Sequence, residues 1–183
     1  MEKMQEEKLM EDLKNPQLRS RAFGQLVKEY QQPIYWHIRK MVLSHDDAND
    51  ILQNTFLKAW SALDAFRGES KLSTWLFRIA VNESLTFLSN QREKYNVSID
   101  EFQENLFKGL EADSYFSGDE VQLQFQKAIL TLPEKQRLVF NMKYFDNLKY
   151  EEMEEILGTS VGALKASYHH AVKKIEQFLL RDV

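Results

Sequence analysis

Apolar residues recur at helical spacing along almost the whole of this 183-residue chain, and that periodicity limits its fold more than any other feature. Asn15-Pro16 suits an N-cap followed by the first helical position. Phe23, Leu26, Val27, Tyr30, Ile34, Ile38 and Met41 then form one stripe, which Pro33 is expected to kink or split. Ser44-x-x-Asp47 reads as a capping-box variant opening a helix whose Ile51, Leu52, Thr55, Phe56, Ala59 and Leu63 share a face. A loop containing Gly68 follows, and a third helix is expected from about Ser73. Six Gly and three Pro leave little room for the turns of a sandwich or barrel. The expected fold class is all-α.

Residues 97–119 interrupt the pattern with six acidic residues, one lysine, two Gly and three Ser. This stretch reads as a flexible acidic linker with a short helix around Phe102–Leu110, and its Ile99, Phe102, Leu106, Phe107 and Phe116 are available for docking. Periodicity resumes at Glu120, is punctuated by Pro133, and ends in a helix from Val161 to about Leu180. Two small helical domains, 1–96 and 120–183, are therefore expected on either side of a linker over 97–119.

Several chemistries are excluded at this level. There is no cysteine, so disulfides, thiol catalysis and Cys-ligated zinc are ruled out. His37, His45, His169 and His170 have no evident ligand partners, and the adjacent pair point about 100° apart on a helix. No phosphate-cradling Gly-rich loop or HExxH motif occurs. No catalytic residue, metal or cofactor is expected. The acidic start, MEKMQEEKLMEDLK, is unlike a signal peptide, and no apolar run reaches 18 residues, so a cytoplasmic protein without membrane insertion is expected.

A net charge of −4 argues mildly against nucleic acid as a partner. The distribution argues the other way. Residues 159–183 hold four Lys/Arg against two acidic residues, and residues 65–95 hold five against three. The segment YEEMEEILGTSVGALKASYHHAVKKI has the mechanics of a helix-turn-helix, with Gly158 in the turn and Ser160 as the second N-cap. Val161, Leu164, Tyr168, Val172, Ile175 and Leu179 form the buried face. Ser160 and Gly162 open the second helix. Its outer face carries Ala163, Ala166, Ser167, His170, Lys173 and Lys174, flanked by Lys165 and His169. Small residues near the start permit approach to base edges, and lysines further along suit phosphates. An ordinary helical hairpin with a solvated basic face accounts for this segment equally well.

Residues 46–93, DDANDILQNTFLKAWSALDAFRGESKLSTWLFRIAVNESLTFLSNQRE, carry a more specific signal. They resemble the second domain of bacterial RNA polymerase sigma factors, in the small two-domain extracytoplasmic function group. The resemblance lies in the run from Asp47 through Trp60, in Phe66-Arg67-Gly68, in Thr74-Trp75-Leu76, and in Arg78-Ile79-Ala80 with Asn82. LPEKQRLVFNMKYFDNLKYEEMEEILGTSVGALKASYHHAVKKI is similar to the fourth sigma domain of the same group. Together the two blocks, in that order, span nearly the whole chain.

The resemblance implies a transcription initiation factor that does no chemistry itself. Its implied partners are core RNA polymerase (the clamp helices of the large subunit and the flap region), double- and single-stranded promoter DNA, and an anti-sigma factor. No small-molecule substrate is implied. Polymerase docking would fall to Asp47, Asp50, Gln53, Asn54 and Phe56, although Asp47 also suits a helix N-terminus and Phe56 and Trp60 also read as core. The downstream (−10) element would meet Phe66, Arg67, Ser70, Lys71, Ser73, Thr74, Arg78 and Asn82. Unstacking a duplex costs about 1–2 kcal/mol per step, offset when unpaired bases are captured by stacking and a basic groove. Trp75 and Phe77 read as core rather than as base platforms. The upstream (−35) element would meet Ser160, Gly162, Ala163, Lys165, Ala166, Ser167, His169, His170, Lys173 and Lys174.

The chain departs from the family where Asn49 and Asn54 replace customary Glu, and where Ser167 and His170 replace customary arginines. Glu154 stands where a small residue is usual, and is expected to turn outward or hold the two helices apart. A self-sufficient helix-turn-helix regulator, an enzyme and a helical adaptor are the competing readings. The first is disfavoured by residues 46–93, the second by the absent motifs, and the third by the basic face.

Overall fold

The computed structural model describes residues 3–95, 99–113 and 119–181, and these form nine α-helices and one 3-10 turn with no strand. The acidic start is a packed helix, α1 (Lys3–Lys14), which buries Leu9 and Leu13. Asn15 works as a cap one turn early: its Oδ1 accepts from the Gln17 N–H at 2.9 Å, and α2 (Arg19–Val42) begins beyond that turn. Pro33 does not split α2. It sits on the exposed side, while Leu26, Ile34, Ile38 and Met41 are wholly buried. Burying that stripe outweighs the roughly 3 kcal/mol that an interior proline costs a helix.

Leu43 closes α2 in the left-handed region, φ 62°, and Ser44 caps α3 (His45–Ala62) by accepting from the Asp47 N–H at 3.2 Å. α3 runs into the 3-10 turn Leu63–Ala65, and α4 (Leu72–Tyr95) follows the loop. Glu6 of α1 caps α4 from outside, its Oε1 accepting from the Leu72 N–H at 2.8 Å.

The expected flexible linker is mostly a docked helix, α5 (Ile99–Ala112). Leu110 is wholly buried in a small apolar cluster with Leu43 and Leu130, and Leu106, Phe107 and Leu123 pack around it. Arg39 pairs with Asp113, and Lys127 with Glu111 at 2.5 Å. The short helix expected around Phe102–Leu110 is longer, and Leu106, Phe107 and Leu110 of the residues available for docking form the amphipathic stripe that holds it down. The side chains of Ile99 and Phe102, and all of Phe116, lie outside the described residues.

Asp119 caps α6 (Glu120–Leu130), accepting from the Val121 and Gln122 N–H groups. Pro133 precedes α7 (Glu134–Tyr144). The helix-turn-helix is formed by α8 (Tyr150–Leu157) and α9 (Val161–Leu179), with Gly158 left-handed at φ 63°. Leu164 and Ile175 of the expected inner face are buried, and Tyr168, Val172 and Leu179 are half-buried. Ala171, wholly buried, joins them against Ala128, Ile129, Leu132 and Phe140.

The two halves pack on each other. α8 lies against α4 and α7 against α2. The largest apolar cluster runs from Leu9 in α1 through Leu76 and Leu88 in α4 to Met142, Met153 and Leu164.

Candidate nucleic-acid interface

Three surfaces carry the residues singled out by the sequence. On α3, Asp50, Gln53 and Asn54 are exposed, while Asp47 is half-buried with its N–H tied to the Ser44 cap. Phe56 does not project as an anchor. It is buried, edge-on to Phe23 with ring centroids 6.3 Å apart, because its position on α3 falls within the stripe that packs on α2. The exposed apolar residues are instead Leu57, 58% exposed, and Trp60, 43% exposed, whose ring meets Phe23 at 5.0 Å. With Asp50 and Gln53 they border a groove whose floor is Phe23, Val27 and Phe56. The signal was in the spacing: Gln53, Leu57 and Trp60 fall at i, i+4 and i+7.

The second surface is the α3–α4 loop and the outer face of α4. Gly68 is left-handed at φ 77°, a conformation that favours glycine, and its Cα lies against the end of the Met10 side chain of α1. Phe66 lies over Trp75, rings 4.8 Å apart and 32° inclined, which leaves both half-buried. Phe77 is buried beside His37, as expected of a core residue. Arg67, Lys71, Arg78 and Asn82 are exposed, and Ser70 and Ser73 are half-buried. Ser73 hydrogen-bonds Tyr30, whose phenol is pushed up to about 12 by burial and by the charges of Glu6 and Glu29. Thr74 does not belong to the surface. It is 3% exposed, turned inward in the first turn of α4, where packing claims one side chain in every three or four.

Two cations of this surface are engaged within the chain. Lys71 Nζ donates to Glu152 Oε1 of α8 at 2.7 Å, and Arg78 Nη2 donates to the Glu155 backbone carbonyl. The bond to Glu152 raises the Lys71 ammonium. Burial would raise the Glu152 carboxyl, but the Lys71 bond and the Lys149 N–H outweigh it and hold the group below its ordinary 4.5.

The third surface is α9. Gly162, Ala163, Lys165, Ala166, His169, His170, Lys173 and Lys174 are exposed and Ser167 is half-buried. Ser160 Oγ accepts from the Ala163 N–H, and Glu154 Oε1 accepts from the Val161 N–H at 3.2 Å. Glu154 therefore turns outward and caps α9 instead of separating the helices. Lys174 donates to Gln136 at 3.0 Å, and Lys165 lies over the Tyr150 ring, 5.7 Å from its centroid. His169 and His170 rings are 6.1 Å apart and inclined at 55°. Among the described residues no group of three or more His, Cys, Asp or Glu is placed to hold a metal, and no helix is long and apolar enough to cross a membrane.

Comparison with known proteins places these surfaces in context. Residues 26–94 match the model of Sigma-70 region 2, and residues 122–175 match that of Sigma-70, region 4. The chain is 31% identical over 164 residues to the ECF RNA polymerase sigma-E factor of Escherichia coli (strain K12), covering 85% of each. It is 31% identical over 170 residues to the ECF RNA polymerase sigma factor SigW of Bacillus subtilis (strain 168), covering 88% of this chain and 90% of the other. Its fold is similar to that of CnrH, solved with the cytosolic domain of CnrY: TM-score 0.69, 24% identity, 97% and 99% of the chains covered. A second similar fold is the sigma factor RpoE, solved with the anti-sigma factor NepR from Bartonella quintana, with TM-score 0.68, 23% identity and 88% and 98% covered.

Proposed function

The chain belongs to the ECF, or extracytoplasmic function, RNA polymerase sigma factors, and on that premise we propose how its surfaces divide the work of initiation. Residues 1–96 form the unit that docks on polymerase and handles the −10 element, 97–119 connect, and 120–183 read the −35 element. The groove bordered by Asp50, Gln53, Leu57 and Trp60 receives the clamp helices of the large polymerase subunit, its carboxylate and amide offering acceptors and its aromatic a hot spot. Asn54 extends the polar rim, and the C-terminal unit meets the flap region.

The observation that carries the DNA reading is the outer face of α9. Gly162, Ala163 and Ala166 leave its first turns bare, so the backbone can sit deep in a major groove. Ser167, His169 and His170 follow within reach of base edges, and Lys165, Lys173 and Lys174 reach phosphates. Arg67, Ser70, Lys71, Ser73, Arg78 and Asn82, with the Phe66–Trp75 pair, receive the −10 strand.

The chain performs no bond chemistry and acts in the cytoplasm, where promoter DNA and polymerase are. Regulation by an anti-sigma factor is supported by the two similar folds, one solved with the anti-sigma factor NepR and the other with the cytosolic domain of CnrY. Lys173→Glu with Lys174→Glu tests the assignment of α9. Both residues are exposed, so the variant should fold, bind core polymerase normally and lose −35 protection in a footprint. Unchanged protection would remove α9 from the interface.

A further inference from the structure

We propose that α1 is a brace for the −10 loop, and that its Glu6 is a positioning residue for strand capture although it meets no DNA itself. The proposal rests on the assignment of Arg67, Ser70, Lys71 and Ser73 to the −10 strand.

The first observation concerns the cap of α4. The helix begins at Leu72, and the Lys71 carbonyl accepts from the Trp75 N–H at 3.0 Å, so Lys71 stands at the N-cap. Ser, Thr, Asp or Asn usually fills that position, because its side chain accepts from the open N–H groups of the first turn. A lysine has no acceptor, and this one is turned to Glu152. The acceptor comes instead from Glu6, 66 residues earlier, whose Oε1 takes the Leu72 N–H at 2.8 Å. A carboxylate of α1 thus leaves the N-cap position to a cation that a strand can use.

The same helix also reaches the start and the middle of the loop. At the start, Arg19 donates from Nε to the Leu13 carbonyl at 3.0 Å and pairs through Nη2 with Asp64, which ties the end of α1 to the 3-10 turn. In the middle, the end of the Met10 side chain lies against Gly68. Met10 and Leu13 line one small cavity together with Leu63 and Phe66. Leu9 and Leu13 are buried, so α1 is anchored in the core while Glu6 and Met10, both half-buried, reach the loop.

Three points of attachment between Leu63 and Leu72 fix the course of the loop before any strand arrives. A loop ordered in advance avoids the entropy cost of being ordered by its ligand. The effect is local, because no residue of α1 lines the groove on α3. Charge separates bracing from simple attraction. The Lys71 ammonium is raised first by its bond to Glu152 and in smaller part by the charge of Glu6. By charge alone, then, Glu6 opposes a phosphate strand at this site. Removing the charge but keeping an acceptor preserves capture, whereas removing the acceptor weakens it.

Glu69 is an exposed loop residue assigned to neither DNA surface, and the chain has no cysteine, so a nitroxide on Glu69→Cys reports loop order in the full chain. Glu6→Ala should sharpen its spectrum, as faster motion does, and Glu6→Gln should leave it near that of the parent. Strand capture is read as permanganate reactivity of opened thymines, with core polymerase on a template that the parent chain selects from a library of random promoter fragments. Glu6→Ala should lower that reactivity by about 2- to 30-fold, the equilibrium equivalent of a lost cap, and Glu6→Gln should stay within about twofold of the parent. Core binding and upstream protection at saturating holoenzyme should be unchanged in both, which a general loss of folding would not allow. Arg19→Gln frees Asp64 at the other end of the loop and, as the independent variant, should lower the reactivity too. Arg67→Ala with Lys71→Ala tests the −10 assignment separately, and unchanged reactivity in that pair overturns the assignment and the brace with it. Loss of reactivity in that pair, with none in Glu6→Ala or Arg19→Gln, overturns the brace alone. Equal losses in Glu6→Ala and Glu6→Gln would overturn the role given to the Glu6 acceptor.

Discussion

At the scale of single residues, capping and charge pairing set the recognition surfaces. Glu154 and Ser160 both satisfy N–H groups at the start of α9, the end that would enter DNA. Glu154→Ala and Ser160→Ala should each lower stability by about 0.5–2 kcal/mol, read from thermal unfolding, and because both caps serve the same turn the double variant should depart from simple additivity. The Lys71–Glu152 bond between the two halves has a pH dependence whose sign is fixed. Glu152 is held below 4.5, so its contribution is complete above that value and is lost as pH falls through the depressed one. Lys71 is raised, so its contribution persists through neutrality and fades only in strong alkali. The Glu152 contribution to thermal stability should therefore fall on acidification below 4.5. Glu152→Gln should weaken the bond at neutral pH and shrink that acid response. Thr74 and Phe56 show what a single residue's identity leaves open. Threonine and phenylalanine both fit the chemistry proposed for them, but the phase of a helix against its neighbours decides whether a side chain faces solvent.

At the scale of elements, the helices were legible because their stripes are long and regular. α3, α4 and α9 begin within about a turn of the positions read from caps and periodicity. Two features rest on packing rather than on local pattern. The local cost of Pro33 predicts a kink or a break, whereas the fully buried Leu26, Ile34, Ile38 and Met41 on either side of it keep α2 continuous. The helix over Phe102–Leu110 is legible in the linker, but where it docks is not, because Leu110 inserts between Leu43 and Leu130, residues far from it in sequence whose proximity no local pattern reveals. Leu110→Ala should cost about 2–4 kcal/mol in denaturant unfolding. Equal stability in the variant would mean that α5 contributes nothing to the packed chain.

At the scale of the whole molecule, the net charge of −4 acquires a different meaning from the one composition suggests. The acidic excess is concentrated in α5 and α8, and in α8 it faces a locally basic strip of the same chain. Acidity here is an internal partner for a basic surface rather than evidence against one. What the sequence could not show was this relation between the halves, because its ion pairs join residues whose separation along the chain carries no periodic signal. The most direct test of the account is multi-template transcription by purified core polymerase on a library of random promoter fragments, with and without the folded chain. The account predicts that the chain selects a subset of templates sharing an upstream and a downstream element, and that neither chain nor core alone does so. Transcription that is unchanged by the folded chain on every template would contradict it.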